Sequence, residues 1–264
     1  MSSNKTLAPF VQKIKENRFL FSELVKRDFK KKYKRTYLGM LWSVISPLLT
    51  LLVMSLVFKN FFGNQMEHYT IYLFCGTIVN SFFTDATNGG MGSLMGNAAI
   101  FSKINVPKYL FLFSRTVTSL INFRLTFIVF FIFCLIDGVA ITPLFLCLVI
   151  PILCLIVFNL GIGLILSALY VFFRDIQYLW SVFTLLLMYM SAILYTVDEF
   201  SPLVQKLFHL NPIYVYIKYF RTIVLAGQMP SLAMHALAFG YALVAFGIGA
   251  LIYKKCNHKF LYYI

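Results

Sequence analysis

The stretch that decides the fold class is LGMLWSVISPLLTLLVMSLVF, residues 38–58, which contains no charged side chain. A helix needs about 20 apolar residues to cross the hydrocarbon core of a bilayer, so this stretch predicts a transmembrane helix. The whole chain has the same character, since its 264 residues are 60% hydrophobic and 12% charged, whereas soluble domains carry about 25% charged residues. The composition excludes a water-soluble enzyme, a disordered tail and a disulfide-stapled secreted module, and the unbroken apolar runs differ from the alternating strands of a membrane β-barrel.

Five further apolar runs follow the first one, so the sequence predicts an all-α polytopic membrane protein with six transmembrane helices. The second run contains Asp85, the third contains Arg124, and we expect Pro151 to kink the fourth. The segment 213–226 is too short and too charged to span, so a re-entrant or interfacial helix is predicted there. The six predicted spans cover residues 38–58, 69–90, 116–136, 144–173, 176–197 and 233–253.

The distribution of basic residues predicts the orientation. The chain carries 23 Lys and Arg against 9 Asp and Glu, and basic clusters flank both ends of the predicted spans. Basic flanks stay in the cytoplasm, so a cytoplasmic N-terminal segment (1–37), a transmembrane domain (38–253) and a cytoplasmic tail (254–264) are predicted. The segment 198–232 then lies outside. Because the charge adjoins apolar spans, anionic lipid is the expected partner rather than nucleic acid.

An amphipathic helix is predicted before the first span. Apolar residues recur there every three or four positions, and basic residues occupy the other face. We expect this helix to lie on the inner leaflet, although a simple topology anchor would show the same pattern. Its apolar face consists of Phe21, Leu24, Val25, Phe29 and Tyr33.

The sequence shows little catalytic equipment. It has no GxxxxGK[ST] nucleotide loop, no HExxH motif and no GxSxG elbow, and its five cysteines form no CxxC pair. We therefore expect no catalytic residues and no metal site. Transport is the predicted function, with energy supplied by a gradient or by a partner.

Two charges lie inside the predicted spans, and such charges are functional candidates by default. Asp85 and Arg124 both fall in the predicted inner half of the bilayer, so they are expected to pair. The pair could be a structural link between two helices, a proton relay or a substrate contact. The structural link is favoured, because a proton relay needs a chain of ionisable groups and not one isolated pair.

Several motifs occur in the order typical of one transporter family. The chain resembles the permeases of type-2 ABC exporters, in the branch that exports O-antigen, capsule and teichoic acid. It departs from the family at Ser46, where asparagine is frequent, and at Ser191-Ala192, where Ser-Pro is frequent. The matching stretches are Arg27-Asp28-Phe29-Lys30, Tyr37-Leu38-Gly39-Met40-Leu41-Trp42-Ser43, Ile104-Asn105-Val106-Pro107-Lys108, Phe173-Arg174-Asp175-Ile176, and Leu210-Asn211-Pro212 with Arg221.

The resemblance implies a half-transporter. Two copies would form the pore, and two cytosolic ATPase subunits would bind ATP and Mg²⁺, so that this chain is not an enzyme and binds no cofactor itself. The inner loop 93–108 would contain the coupling helix that docks on the ATPase. Its expected core is Asn97, Ile100, Phe101 and Lys103, with Ile100 and Phe101 as an exposed apolar docking pair.

The resemblance also implies a path for the substrate. The amphipathic helix would flank the gate for a lipid headgroup, with Lys30, Lys34 and Arg35 as its cations. In the outer segment, Asn211 and Arg221 carry the family motif. Aromatic side chains suit the apolar faces of sugars but also form interfacial belts. The candidates for the path are Tyr37, Trp42, Tyr189 and Tyr195.

The predicted function is therefore export of a lipid-linked polysaccharide or polyol-phosphate polymer across the bacterial cytoplasmic membrane. A small-molecule or drug exporter of the same fold is the alternative. An alternative from a different functional class is a membrane-embedded glycosyl- or acyltransferase, which would need a cluster of His, Asp or Glu at a membrane face.

Overall fold

The computed structural model describes residues 17–34, 36–62, 67–103 and 106–263, and this part of the chain is helical and contains no strand. The long helices are α1 (Arg18–Tyr33), α2 (Trp42–Phe62), α3 (Tyr69–Met91), α5 (Tyr109–Ile136), α6 (Val149–Phe172), α7 (Ile176–Met190), α9 (Pro212–Val224) and α10 (Leu232–Cys256). The short ones are α4 (Ala98–Phe101), α8 (Pro202–Phe208) and α11 (Phe260–Tyr263).

The prediction of an all-α polytopic membrane protein is confirmed. In the described ranges, four helical stretches are long and apolar enough to cross a membrane: Gly39–Lys59, Tyr109–Ile136, Pro143–Phe172 and Leu232–Cys256. Helix α3 has 23 residues, so it is also long enough, but polar residues interrupt it. Helix α7 has only 15 residues. The count of six spans and the orientation of the termini stay predictions.

The predicted fifth span is wrong in its length. Helix α7 ends at Met190 instead of continuing to residue 197. The chain turns sharply there, because Ala192 adopts a left-handed backbone conformation with φ of 50°. The turn therefore forms here without a proline.

The expected kink at Pro151 stays a prediction, and the helix type changes just before this residue. A 3₁₀ helix over Pro143–Leu148 precedes α6, which begins at Val149. Pro151 therefore lies in the first turn of α6, where a backbone N–H has no partner within the helix and its loss costs little.

The helices pack most closely where α6 crosses α10. A methyl group on Gly161 would collide with the backbone of Ala245, and one on Gly249 would collide with the carbonyl oxygen of Gly161. Helix α3 lies beside both α5 and α6. These contacts place α3 in the interior, with most of its apolar side chains buried.

The short helix predicted for the outer segment is present as α9. Proline at its first position and Asn211 as its N-cap start the helix, since Asn211 Oδ1 accepts from the backbone N–H of Ile213 at 2.9 Å. Helix α9 packs against α3, α6 and α10, and Tyr216 and Tyr219 are fully buried. This segment is therefore part of the protein core.

The apolar face of α1 packs on protein rather than on lipid alone. Leu24 is buried in a cluster with Phe101 and Phe111, and α1 lies against α5. By contrast, α2 and α7 leave broad apolar surfaces uncovered, including Leu52 and Leu56 on α2. These two surfaces are available to lipid or to another polypeptide.

Candidate functional site

A polar cavity of about 520 Å³ lies between the end of α1, the start of α2, the second half of α3 and the middle of α5. Its volume falls within the range of about 300–1,000 Å³ typical of small-molecule sites. Trp42 and the apolar side chains of Ile78, Phe82 and Phe123 form part of the wall. Hydroxyl groups dominate the remainder, from Thr36, Ser43, Ser46, Thr50, Ser81, Ser119 and Thr126.

An ion pair crosses the cavity between α1 and α3. The Lys32 Nζ donates to both carboxylate oxygens of Asp85, at 2.7 and 2.9 Å. The amide of Asn122 donates to Asp85 Oδ2 at 3.3 Å and accepts from the Tyr33 hydroxyl at 2.8 Å. Both ionic side chains remain more than one-third exposed, so the cavity is open to its surroundings.

Tyr33 acts as a hydrogen-bond donor in this network. Burial raises the pKa of its hydroxyl above the ordinary value, a hydrogen bond with Ser43 lowers it in part, and the Asp85 carboxylate raises it again. The hydroxyl therefore keeps its proton at neutral pH. It links the end of α1 to α5 through Asn122.

The predicted pairing of Asp85 with Arg124 is wrong. Asp85 pairs with Lys32, whereas Arg124 is exposed and forms no ion pair with any residue in the described part of the chain. Asn122 and Arg124 are two positions apart on α5, which rotates their side chains by about 200° around the helix axis. Because Asn122 faces Asp85, Arg124 has to face away.

A second polar cluster holds α1 to the inner loop. Asp28 is 0% exposed, accepts hydrogen bonds from Arg27 at 2.7 Å and from Ser114 at 3.3 Å, and forms an ion pair with Arg115 at 3.3 Å. Arg27 also donates to Asn97 Oδ1 at 2.6 Å. Helix α1, the loop before α4 and the first turns of α5 therefore form one connected unit.

Of the residues predicted to dock on an ATPase, some are buried in the protein and one is exposed. Phe101 is only 6% exposed, against Phe111 and beneath the Lys108 ammonium, and Asn97 is buried, so the prediction of an exposed Phe101 is wrong. Ile100 is partly buried in the same cluster, and Lys103 is exposed. A short apolar pair in a loop packs inward when a helix such as α1 covers it. The exposed positions of this loop are Gly96, Ala99, Ser102 and Lys103.

The remaining gate and path candidates are dispersed. Lys30 and Lys34 are exposed on α1 and do not line the cavity, while Arg35, Ile104 and Asn105 lie outside the described residues. Trp42 lines the cavity and is 40% exposed. The other three aromatic candidates lie elsewhere: Tyr37 and Tyr189 are exposed, and the partly buried Tyr195 donates to the Tyr189 carbonyl at 2.9 Å.

The two outer-segment candidates both hold the end of α7. Asn211 Nδ2 donates to the Met190 carbonyl at 3.1 Å and to Ser191 Oγ at 2.9 Å. Arg221 donates to the carbonyls of Ala192 at 2.8 Å and Ile193 at 3.1 Å. Its guanidinium also stacks on the Tyr72 ring, 3.3 Å from the centroid, and donates to the Tyr72 carbonyl.

The sequence analysis did not identify Lys32 or Asp28 as site residues. Only Asp28 has a feature in the sequence that indicates its role. Asp28 falls four positions after Leu24, on the predicted apolar face of α1, and a carboxylate on such a face calls for a buried partner. Lys32 is one of several lysines in a row, and nothing in their order distinguishes it. Within the described ranges, no group of three His, Cys, Asp or Glu could hold a metal ion.

The amino-acid sequence matches one family over most of its length. The family described as "ABC-2 type transporter" matches residues 20–225. The chain is 28% identical over 249 residues to the O-antigen export system permease protein RfbA of Klebsiella pneumoniae, covering 92% of this chain and 95% of that protein. It is 27% identical over 187 residues to RfbA of Myxococcus xanthus, covering 70% and 71%. Against the capsule polysaccharide export inner-membrane protein CtrC of Neisseria meningitidis serogroup A, it is 22% identical over 199 residues, covering 74% and 75%.

Proposed function

This chain belongs to the ABC-2 type transporter family, and we propose on that premise that it is the permease subunit of a polysaccharide exporter in the bacterial cytoplasmic membrane. The observation that carries the proposal is the alignment with the Klebsiella O-antigen permease, which extends over 92% of this chain. The capsule export relative supports the same class of cargo. The hydroxyl-lined cavity beside Trp42 is compatible with a glycan.

The polymer would travel as a lipid-linked glycan from the inner to the outer side. Work from ATP would come from two cytosolic P-loop ATPase subunits, because the chain contains no nucleotide loop of its own. Two copies of the chain would form the pore, covering the apolar surfaces of α2 and α7. Both termini would be cytoplasmic, in keeping with their basic flanks.

The inner loop would be the place where the ATPase docks, through its exposed positions Gly96, Ala99, Ser102 and Lys103. Behind them, Phe101 would transmit force to α1 rather than touch the partner, since it packs in the same cluster as Leu24. Because Arg27 and Asn97 are hydrogen-bonded, a displacement of the loop would also move α1. Helix α1 carries Lys32 and Tyr33 at the cavity.

Purification in mild detergent tests the partnership. We expect the tagged chain to co-purify with a P-loop ATPase, and Ala99→Asp to lose it, because the new charge would lie in the contact. Lys255→Asp is the matched control, since Lys255 is exposed in the last turn of α10. The proposal fails if the wild-type chain purifies without an ATPase under conditions that preserve a known ABC exporter.

A further inference from the structure

We propose that the polar cavity binds a sugar unit of the exported glycan, and not the phosphate group that joins the glycan to its lipid. This inference rests on the proposed function and makes it more specific. In this inference, Asp85 and Asn122 form the hydrogen bonds to the sugar, and the sugar ring stacks on Trp42.

The charge of the cavity argues against a phosphate. Among the described residues, Lys32 and Asp85 are the charged side chains of its lining, and they neutralise each other at 2.7 Å. The exposed cations Lys30 and Lys34 are on α1 but do not line the cavity. A phosphate would have to separate Lys32 from Asp85 and then remain next to that carboxylate, and such a like-charge contact is unfavourable. A neutral polar ligand meets no such penalty.

The hydroxyl groups of the lining are complementary to a polyol. Ser46, Ser81 and Ser119 have no hydrogen-bond partner for their hydroxyls among the residues described. Thr50 and Thr126 donate to carbonyls of the protein and keep free acceptor lone pairs. The lining thus offers donors and acceptors together, as alternating hydroxyl groups on a sugar ring require.

Asp85 and Asn122 suit a pair of neighbouring hydroxyls. An ionised carboxylate has about four acceptor positions, and Lys32 and Asn122 occupy part of them. Sugar hydroxyls can donate to the remaining positions, and hydrogen bonds to an ionised acceptor are the strong ones. The second N–H of the Asn122 amide has no acceptor in the described part of the chain and can donate to a sugar oxygen.

Trp42 provides the apolar counterpart. A sugar ring has hydroxyls around its edge and C–H groups on its faces, so it stacks well on an indole. Gly39, with φ of 52°, turns the chain at the first residue of the 3₁₀ segment Gly39–Leu41, and this turn carries Trp42 to the cavity. Ile78, Phe82 and Phe123 extend the apolar part of the wall.

Protection of an engineered cysteine tests the assignment without knowledge of the glycan. Ser81→Cys is introduced in a cysteine-free background, because Ser81 is exposed and lines the cavity. Membrane fragments open on both faces and free of ATP are treated with N-ethylmaleimide. One set comes from cells that make the lipid-linked glycan, and the other from cells blocked before the first sugar, which contain only the polyprenyl phosphate.

We expect slower labelling of Ser81→Cys in the membranes that contain glycan. If about nine-tenths of the sites are occupied, labelling slows about tenfold, because only empty sites react. Ser102→Cys, exposed on the inner loop, is the matched control and should label equally in both sets. Equal labelling rates of Ser81→Cys in the two sets would overturn the proposal. If both rates match that of Ser102→Cys, the cavity is empty, and if both are much slower than that control, the cavity holds the phosphate or its lipid.

Asp85→Asn in the same background tests the assigned carboxylate. It should abolish the protection of Ser81→Cys while Ser102→Cys still labels as in the parent protein, which shows that labelling outside the cavity is unchanged. Undiminished protection would remove Asp85 from the site. Restoration of surface glycan by the parental protein in a deletion strain is scored separately, so that a failure there counts against the proposed function and not against the site.

Discussion

Asp28→Asn should give a protein that accumulates poorly and unfolds at a lower temperature than the wild type. The carboxylate is fully buried between Arg27 and Arg115, and Ser114 donates to it as well. Removing one partner of a buried ion pair costs about 3–5 kcal/mol, because the other partner is left uncompensated. We expect about 3 kcal/mol here, since the two arginines remain partly exposed and solvent screens them.

The thermal midpoint of the purified protein measures this effect. Glu23→Gln is the matched control on the same helix, because Glu23 is exposed and pairs only with the exposed Lys26 in the described part. That change should cost at most about 1 kcal/mol. An Asp28→Asn protein as stable as the control would show that α1 is not held through this carboxylate.

Arg221→Met should release the end of α7. The guanidinium donates to the carbonyls of Ala192, Ile193 and Tyr72 and stacks on the Tyr72 ring, and no carboxylate in the described ranges pairs with it. Hydrogen bonds to charged groups contribute about 1.5–3 kcal/mol each, so we expect a loss of at least about 3 kcal/mol and no export. Arg221→Lys should recover only part of the stability and export, because a lysine ammonium cannot donate several hydrogen bonds in the planar geometry of a guanidinium.

Lys218→Met provides the control, one turn earlier on α9. Its ammonium lies 5.7 Å from the centre of the Tyr214 ring, and loss of such a contact costs about 0.5–1 kcal/mol. Thermal midpoint and export are measured together for the three variants. Full export by Arg221→Met would mean that the position of the α7 end does not matter for transport.

The fold class could be predicted because its signals are local. Twenty apolar residues in a row predict a spanning helix wherever they occur, and the start of α9 is marked by Asn211-Pro212. The boundaries that failed depend on local conformations that no hydropathy pattern encodes. Ala192 ends α7 through a positive φ, and a 3₁₀ segment over Pro143–Leu148 precedes α6, so that Pro151 lies in the first turn of α6.

The candidate site was harder to predict, since it depends on where α1 lies. Helix α1 folds back over the ends of α3 and α5, which brings Lys32 to Asp85 across 53 positions of sequence and covers Phe101. The sequence indicates that Asp85 needs a partner, and the structure pairs it with Lys32. The partner of Asp85 could not be identified from the sequence, because Arg124 has the more similar predicted depth in the membrane. The rotation of side chains around α5 points Arg124 away from Asp85, and this rotation is visible only in the structure.

Surface exposure of the glycan in cells depleted of this chain tests the central claim most directly. Intact cells are treated with mild periodate and then with an impermeant hydrazide, which marks only sugars outside the cytoplasmic membrane, while total glycan is measured after lysis. An exporter permease predicts that surface glycan falls to the level of a strain unable to synthesise it, while lipid-linked glycan accumulates inside. Unchanged surface glycan after depletion, or loss of total glycan without internal accumulation, would contradict the account.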